Sequence, residues 1–460
     1  MFICRRSGNT NTERGVGILK AIIMAGGEGV RLRAVSDGRP KPMVPLLGRP
    51  VIAYIVELLR GAGVTDICVT LKHMPEKITG FLRGGEDFGV RIESRVEKIP
   101  LGTAGSVKSC MDFVGDENFL VISGDAVCDF DLAALMRQHV ENPCAVTMAL
   151  YEHPEPLAYG TVLTDSDGRV LRFIEKPNWE RVITDYVNTG IYVVSPSAMQ
   201  LVPEGKMFDF AKDLFPLLAQ RGELIRGVKM RGYWCDIGAP AAYRECVMAA
   251  LRGEITLSPS YRGVPPHRTT LPAEVKITPP VFLGANVRVY RGAEIGPNVA
   301  AEGRSVIGAA ARLSNSVILD SEIGAGAELH GVTACPGARV LRGARVGNGV
   351  IISAREDVQD TGRVESGITN SQRAAMDYRR IVNCTSRARL MRLLSESLAA
   401  HGADFEDGLF LEMEKGAVRI SPSPDRAALL VETRSRDVEF SRELALDFEE
   451  MIKNTEKAVN

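Results

Sequence analysis

From about Val275 to Ser353 the chain repeats an aliphatic residue followed by glycine or another small residue roughly every six positions. Ile295-Gly296, Ile307-Gly308, Ile323-Gly324 and Val346-Gly347 mark the rhythm. A hexad period means short strands wound into triangular coils with the aliphatic side chains stacked inside, a parallel β-helix. The competing reading is a sandwich rich in Gly, Ala and Val. The repeat occupies only part of the chain. At 460 residues the chain is too long for one core, so further domains flank it.

Upstream, strand and helix patterns alternate from Lys20 to about Gly253. Ala21 to Ala25 is an apolar run. "RPVIAYIVELLRG" has Pro50 at a first-turn position, apolar residues at Val51, Ile55, Leu58 and Leu59, and Gly61 as a stop. "ICVTL" and "NFLVISGD" read as further strands. Alternation of this kind predicts a Rossmann-like α/β domain whose mostly parallel sheet is covered on both faces. Ligands of such sheets sit beyond the carboxyl ends of the strands, which points to the loops after Ala25 and Ser123. The boundaries that follow are a loose tail over 1–18, the α/β domain over 19–253, a proline-rich linker over 254–274, the β-helix over 275–356, a second linker over 357–368, and a small α+β module over 369–460. Leu19 stands where an initiating Met would fit, so the natural start is expected near it.

Composition narrows the function classes. A formal net charge of −1 argues against a dedicated nucleic-acid binder. No apolar run approaches the ~20 residues that cross a bilayer, and the first residues do not read as a secretory signal. The nine cysteines form no CxxC pair, which suits a reducing, cytoplasmic setting.

The chemistry concentrates after the first strand, in "GGEGVRLRAVSDGRPKPMVP". Gly26 and Gly27 let backbone approach a ligand, and successive N–H groups in such a turn make a nest for phosphate oxygens. Arg31 can fork two of those oxygens, and Lys41 supplies a mobile point charge. The spacing fits neither GxGxxG nor GxxxxGK[ST]. A solvated Arg/Lys surface turn is the plainer alternative.

This loop resembles the G-G-x-G-T-R-L…P-K-P-M loop of the sugar-1-phosphate nucleotidyltransferases. The resemblance continues through "EKIPLGTAGSVK", "FLVISGDAVCDFDL", "YGTVLTDSDGRVLRFIEKP", "DYVNTGIYVVSP" and "GYWCDIGAPAAY". It implies an enzyme that joins a nucleoside triphosphate to a hexose 1-phosphate and releases pyrophosphate. It implies Arg31, Lys41, Asp125 and Lys176 as the catalytic set, and Asp125 with Asp236 as ligands of Mg2+. It places the nucleotide against Ala25, Gly26, Gly27, Gly29, Arg31, Glu97, Gly102, Thr103 and Gly124. The sugar phosphate falls to Tyr159, Gly160, Glu175, Lys176, Asn188 and Gly190. In an extended chain Glu175 and Lys176 would point to opposite sides. Glu97 could accept from the N1–H and amine of guanine, which favours GTP. The hexad domain resembles the left-handed β-helix of many of these enzymes, which predicts a homo-oligomer. The loop departs from the family at Val30, where Thr is usual, and at Ala34-Val35-Ser36, where Pro-Leu-Thr is usual. These changes predict weakened phosphate binding.

In the last segment, "YRRIVNCTSRARLMRLLSESL" and "FEDGLFLEMEKGAVRISPSPDRAALLVETRSRDVEFSRELALDF" resemble the final domain of phosphomannomutases and phosphoglucomutases; several mannose-1-phosphate guanylyltransferases are fused to such a mutase. The mutase's phosphoserine and metal loops are missing. Its glycine-containing phosphate loop is replaced by "SPSPDRA" (Ser421 to Ala427), so the module is expected to lack mutase activity. Taken together, the resemblance implies GDP-mannose synthesis from mannose 1-phosphate and GTP. The alternatives are a glucose-1-phosphate uridylyl- or thymidylyltransferase, or a non-catalytic subunit that binds a sugar nucleotide.

Overall fold

The computed structural model describes residues 20–178, 181–257, 271–272, 274–347, 349–353, 355, 357–358, 363–364, 378–405, 408–413, 415–423, 428–435 and 438–459. The expected tail over 1–18 lies outside these residues, as does most of the 254–274 linker.

The first domain is built on a nine-stranded sheet. Its strands are β1 (Lys20–Ala25), β2 (Asp66–Leu71), β3 (Arg91–Val96), β4 (Phe119–Ser123), β5 (Val146–Glu152), β6 (Thr161–Thr164), β7 (Val170–Ile174), β8 (Tyr186–Val194) and β9 (Ile225–Lys229). The order is β7-β6-β8-β4-β1-β2-β3, with β5 alongside β8 and β9 alongside β5. Only β7 and β8 run against the others, so seven of the nine strands share one direction. β1 shows why both faces are covered. Ala21, Ile23 and Ala25 belong to one core and Ile22 to the other, all of them buried. A central parallel strand therefore carries an unbroken apolar run rather than an alternating one.

The hexad segment forms three parallel sheets that the chain visits in rotation, which is a β-helix. Val289, Ile307, Ile323 and Val340 stack in register down one face and are buried. The coil length changes along the stack. Lys276 pairs with Glu294, 18 residues on, and Arg312 with Glu328, 16 residues on. The strands Asp357–Val358 and Arg363–Val364 extend two of the faces, where a linker was expected from residue 357. They keep the 18-residue coil (Arg339 against Asp357, Arg345 against Arg363) but lack the aliphatic–glycine pair that marks the repeat.

The last unit is a four-stranded antiparallel sheet in the order Tyr378–Asn383, Ala428–Ser435, Gly416–Pro422, Leu409–Met413. The helices Arg387–Leu398 and Val438–Val459 share its core. Residues 424–427 of the "SPSPDRA" segment lie outside the described residues.

Candidate active site

The glycine turn leaves β1 at its carboxyl end. Gly29 adopts φ +61°, a left-handed conformation that glycine takes without penalty, and the chain then enters the short turn Val30–Leu32. Leu32 is buried and anchors this turn, while Arg31 and Val30 face outward. The β-carbon of Lys41 lies 3.1 Å from where a Cβ on Gly29 would sit, so the turn and the Lys41 segment are in contact.

Beside this turn, β4 ends at Ser123, and the Gly124 N–H donates to the Met24 carbonyl at 2.8 Å. The next strand, Ala126–Cys128, pairs antiparallel with Trp234–Asp236 in a register that sets Asp236 opposite Ala126. Two carboxylates far apart in sequence thus meet at the sheet edge. The Lys41 ammonium bridges them, donating to Asp125 and, at 2.8 Å, to Asp236. The Ser123 hydroxyl donates to the other oxygen of Asp125.

The electrostatics follow from this crowding. Burial works against the charge of Lys41, yet the two carboxylates outweigh it and raise its pKa. Burial also opposes ionisation of Asp125, but Lys41 and Ser123 overcome it and hold this carboxyl below its ordinary value. Asp236 goes the other way. Burial and the neighbouring Asp125 charge push it up more than Lys41 and Arg31 pull it down. A shared ammonium between two close carboxylates favours ionising one before the other.

The residues expected on the sugar side adjoin this pair. Tyr159 packs in a ring cluster with His153 and Trp234, at centroid distances of 4.8 and 5.1 Å. Asn188 N–H donates to the Gly160 carbonyl at 2.8 Å, and its side-chain oxygen accepts from Gly190 N–H at 3.1 Å. A Cβ on Gly160 would fall 2.6 Å from the Phe173 ring and 2.8 Å from Glu175 Oε2, so a larger residue would have to displace those side chains. Gly190, at φ +75°, packs over Ser123. The chain has left the strand by Glu175, and Lys176 adopts φ +42° while its N–H donates to the Tyr159 carbonyl at 3.2 Å. The expected extended alternation of Glu175 and Lys176 is therefore replaced by a left-handed turn.

Of the residues expected to face the nucleotide, Glu97 follows β3 beside Gly26. Its carboxylate accepts from the Ser106 hydroxyl at 2.6 Å and from Leu101 N–H at 3.4 Å. Gly102, at φ +71°, sits against the Phe208 backbone. The Thr103 hydroxyl is already engaged: it donates to Asp209 at 3.1 Å and accepts from Phe210 N–H at 2.9 Å. Sequence reasoning missed Ser123, Ser106 and Asp209, which hold Asp125, Glu97 and Thr103 in place. Asp209 lies 106 residues from Thr103, and no local pattern announces it.

A glycine turn, a lysine and two converging carboxylates at the carboxyl edge of an α/β sheet define an enzyme that handles nucleoside phosphates. The chain belongs to the sugar-1-phosphate nucleotidyltransferases: the family model described as nucleotidyl transferase matches residues 20–253. It is similar to the UTP–glucose-1-phosphate uridylyltransferase of Synechocystis sp., 34% identical over 333 residues, which cover 68% of this chain and 86% of the relative. It is also similar to the mannose-1-phosphate guanylyltransferase of Mycobacterium tuberculosis, 32% identical over 286 residues, 62% of this chain and 78% of the relative. A crystal structure of HddC from Yersinia pseudotuberculosis aligns with a TM-score of 0.45 at 27% identity, over 50% of this chain and 98% of that one. Among the described residues, no helix is long and apolar enough to cross a membrane.

Proposed function

We propose that the protein joins mannose 1-phosphate to GTP, forming GDP-mannose and releasing pyrophosphate. The observation that carries the chemistry is the Lys41 ammonium held between Asp125 and Asp236 beside the glycine turn. The choice of guanine rests on Glu97, a carboxylate with acceptor sites to spare beside Gly26, and on relatives described as mannose-1-phosphate guanylyltransferases. A second reading, glucose 1-phosphate with UTP, is favoured by the Synechocystis relative.

The reaction is an in-line attack of the sugar phosphate oxygen on the α-phosphorus, with pyrophosphate leaving. The backbone of the glycine turn binds the triphosphate. Arg31 and Lys41 offset the charge that develops toward the leaving pyrophosphate, and Lys176 orients the attacking phosphate. Glu175 and Asn188 hold sugar hydroxyls against the Gly160 backbone. Asp125 and Asp236, two carboxylates brought together at the sheet edge, would hold Mg2+, which prefers oxygen ligands and one or two carboxylates. When bound, Mg2+ supplies charge neutralisation on the triphosphate. The protein is further proposed to be a homo-oligomer, which light scattering would test.

The test is pyrophosphate release by the full chain with Mg2+, over mannose 1-phosphate and glucose 1-phosphate against GTP, UTP, dTTP, ATP and CTP. A dominant mannose 1-phosphate/GTP cell supports the first reading, and a dominant glucose 1-phosphate/UTP cell replaces it with the second. A blank grid with measurable sugar-nucleotide binding would point to a non-catalytic subunit. Lys41→Ala is expected to lower kcat on the order of 10²–10³-fold, as for other electrostatic groups of this kind.

A further inference from the structure

The segment that carries Lys41 is gripped by the β-helix on both sides. Two residues before Lys41, the Arg39 guanidinium donates to Asp320 at 3.2 Å. Six residues after it, a two-residue turn at Leu47-Gly48 joins the short strands Pro45–Leu46 and Arg49–Pro50. Both turn residues are left-handed, Leu47 at φ +47° and Gly48 at φ +85°. That is the handedness a tight hairpin needs, but Leu bears it at a cost. The two turn N–H groups point at a single side chain. Glu302, at the end of the β-helix strand Val299–Glu302, accepts from Leu47 N–H and from Gly48 N–H, one oxygen each, both at 2.9 Å. Glu302 is 3% exposed. Phe282, also from the β-helix, closes the turn from another side, lying 3.0 Å from where a Cβ on Gly48 would be.

We propose that Glu302 is a positioning residue for the transfer reaction: by clamping the Leu47-Gly48 turn, the β-helix sets the place of Lys41. The inference rests on the role proposed above for Lys41. A carboxylate that chelates two successive amides fixes a turn in position and orientation, because its two bonds lie in one plane. A turn six residues from the ammonium transmits that constraint through the intervening Lys41–Met43 turn and buried Val44. Displacement of a reacting group by about 1 Å can cost up to 10²-fold in rate.

The test is a double-mutant cycle on the full chain, with pyrophosphate release as the readout and thermal unfolding as the folding check. Glu302→Gln keeps the shape and removes one acceptor. It is expected to lower kcat about tenfold in the wild-type background. In the Lys41→Ala background, where nothing remains to be positioned, it is expected to change kcat less than about twofold. Equal losses in both backgrounds would overturn the inference and leave Glu302 a stabilising residue only. Unimpaired Lys41→Ala would instead overturn the role given to Lys41. Should Glu302→Gln fail to fold, Asp320→Asn releases Arg39 at the more exposed contact and enters the same cycle, with the same two outcomes deciding.

Discussion

Glu302 is buried at the joint between two domains, facing Arg39, Asp320 and Tyr243, and burial pushes its carboxyl up to about 7 from 4.5. The two amide bonds and Arg39 pull it down, and they only partly offset the loss of solvent. The folded chain therefore holds a proton on Glu302 between pH 4.5 and 7 that the unfolded chain has released. Stability falls as pH rises through that window and levels off above it. A displacement of this size corresponds to on the order of 3 kcal/mol. Glu302→Gln carries no such titration. Its stability relative to wild type is expected to improve by a few kcal/mol from pH 4.5 to pH 8, and urea titration at the two pH values measures it. A difference independent of pH would mean that the carboxylate is not desolvated. The residues at the opposite extreme, Lys41, Asp125 and Asp236, were legible in the sequence. Each stands in a short motif: Asp125 just beyond a strand end, Asp236 at one, and Lys41 at the head of the Lys41–Met43 turn. Glu302 was not legible, because its partners lie 255 and 254 residues away and its neighbours in sequence carry only the coil repeat.

At the scale of elements, the helix Arg387–Leu398 lacks a side-chain cap from its own N-cap residue, Ser386. Asp185, from the nucleotidyltransferase domain, takes that place. Its two oxygens accept from Arg387 N–H at 3.0 Å and Ala388 N–H at 2.8 Å, and burial keeps its carboxyl above the ordinary value. Asp185→Ala leaves two buried donors without these acceptors and is expected to cost about 1–2 kcal/mol of docking between the module and the domain. Limited proteolysis of the module, faster in the variant, would show it; an unchanged rate would mean that other contacts hold the module. Gly160 makes a second prediction. Its Cβ would collide with Phe173 and Glu175, so Gly160→Ala is expected to raise the KM for sugar phosphate while leaving that for nucleotide unchanged. The elements themselves were largely readable. The aliphatic–glycine hexads announced coils, and alternating strand and helix patterns announced the sheet. What escaped was the last part of the β-helix, whose strands at 357–358 and 363–364 keep the coil spacing without the glycine. The left-handed turn at Lys176 escaped as well, since lysine gives no sign of a positive φ.

The whole molecule divides unevenly into cores, and this decides how it should come apart. The β-helix does not stand alone. Phe282, Ala300, Val317, Leu319 and Cys335 belong to the same buried cluster as Leu46, Leu47, Val51 and Tyr243 of the nucleotidyltransferase domain. Tyr243, beneath the joint, donates its hydroxyl to the Pro45 carbonyl of its own domain at 2.6 Å, and across the joint Arg244 donates to the Gly331 carbonyl at 3.3 Å. The C-terminal module has its own core, to which Val182 is the buried contribution from the first domain among the described residues, with Leu157 packed against it. A shared core couples unfolding, whereas a small contact between separate cores does not. Calorimetry of the full chain should therefore show two transitions, one for the first domain with its β-helix and one for the module. A chain ending near residue 365 should lose only the module's transition and still release pyrophosphate. A chain ending at residue 257 should instead expose the apolar faces of Leu47 and Tyr243 and aggregate. A single transition for the full chain, lost entirely on removing the module, would show that the two cores are coupled after all and that Asp185 carries more of the interface than its two hydrogen bonds account for.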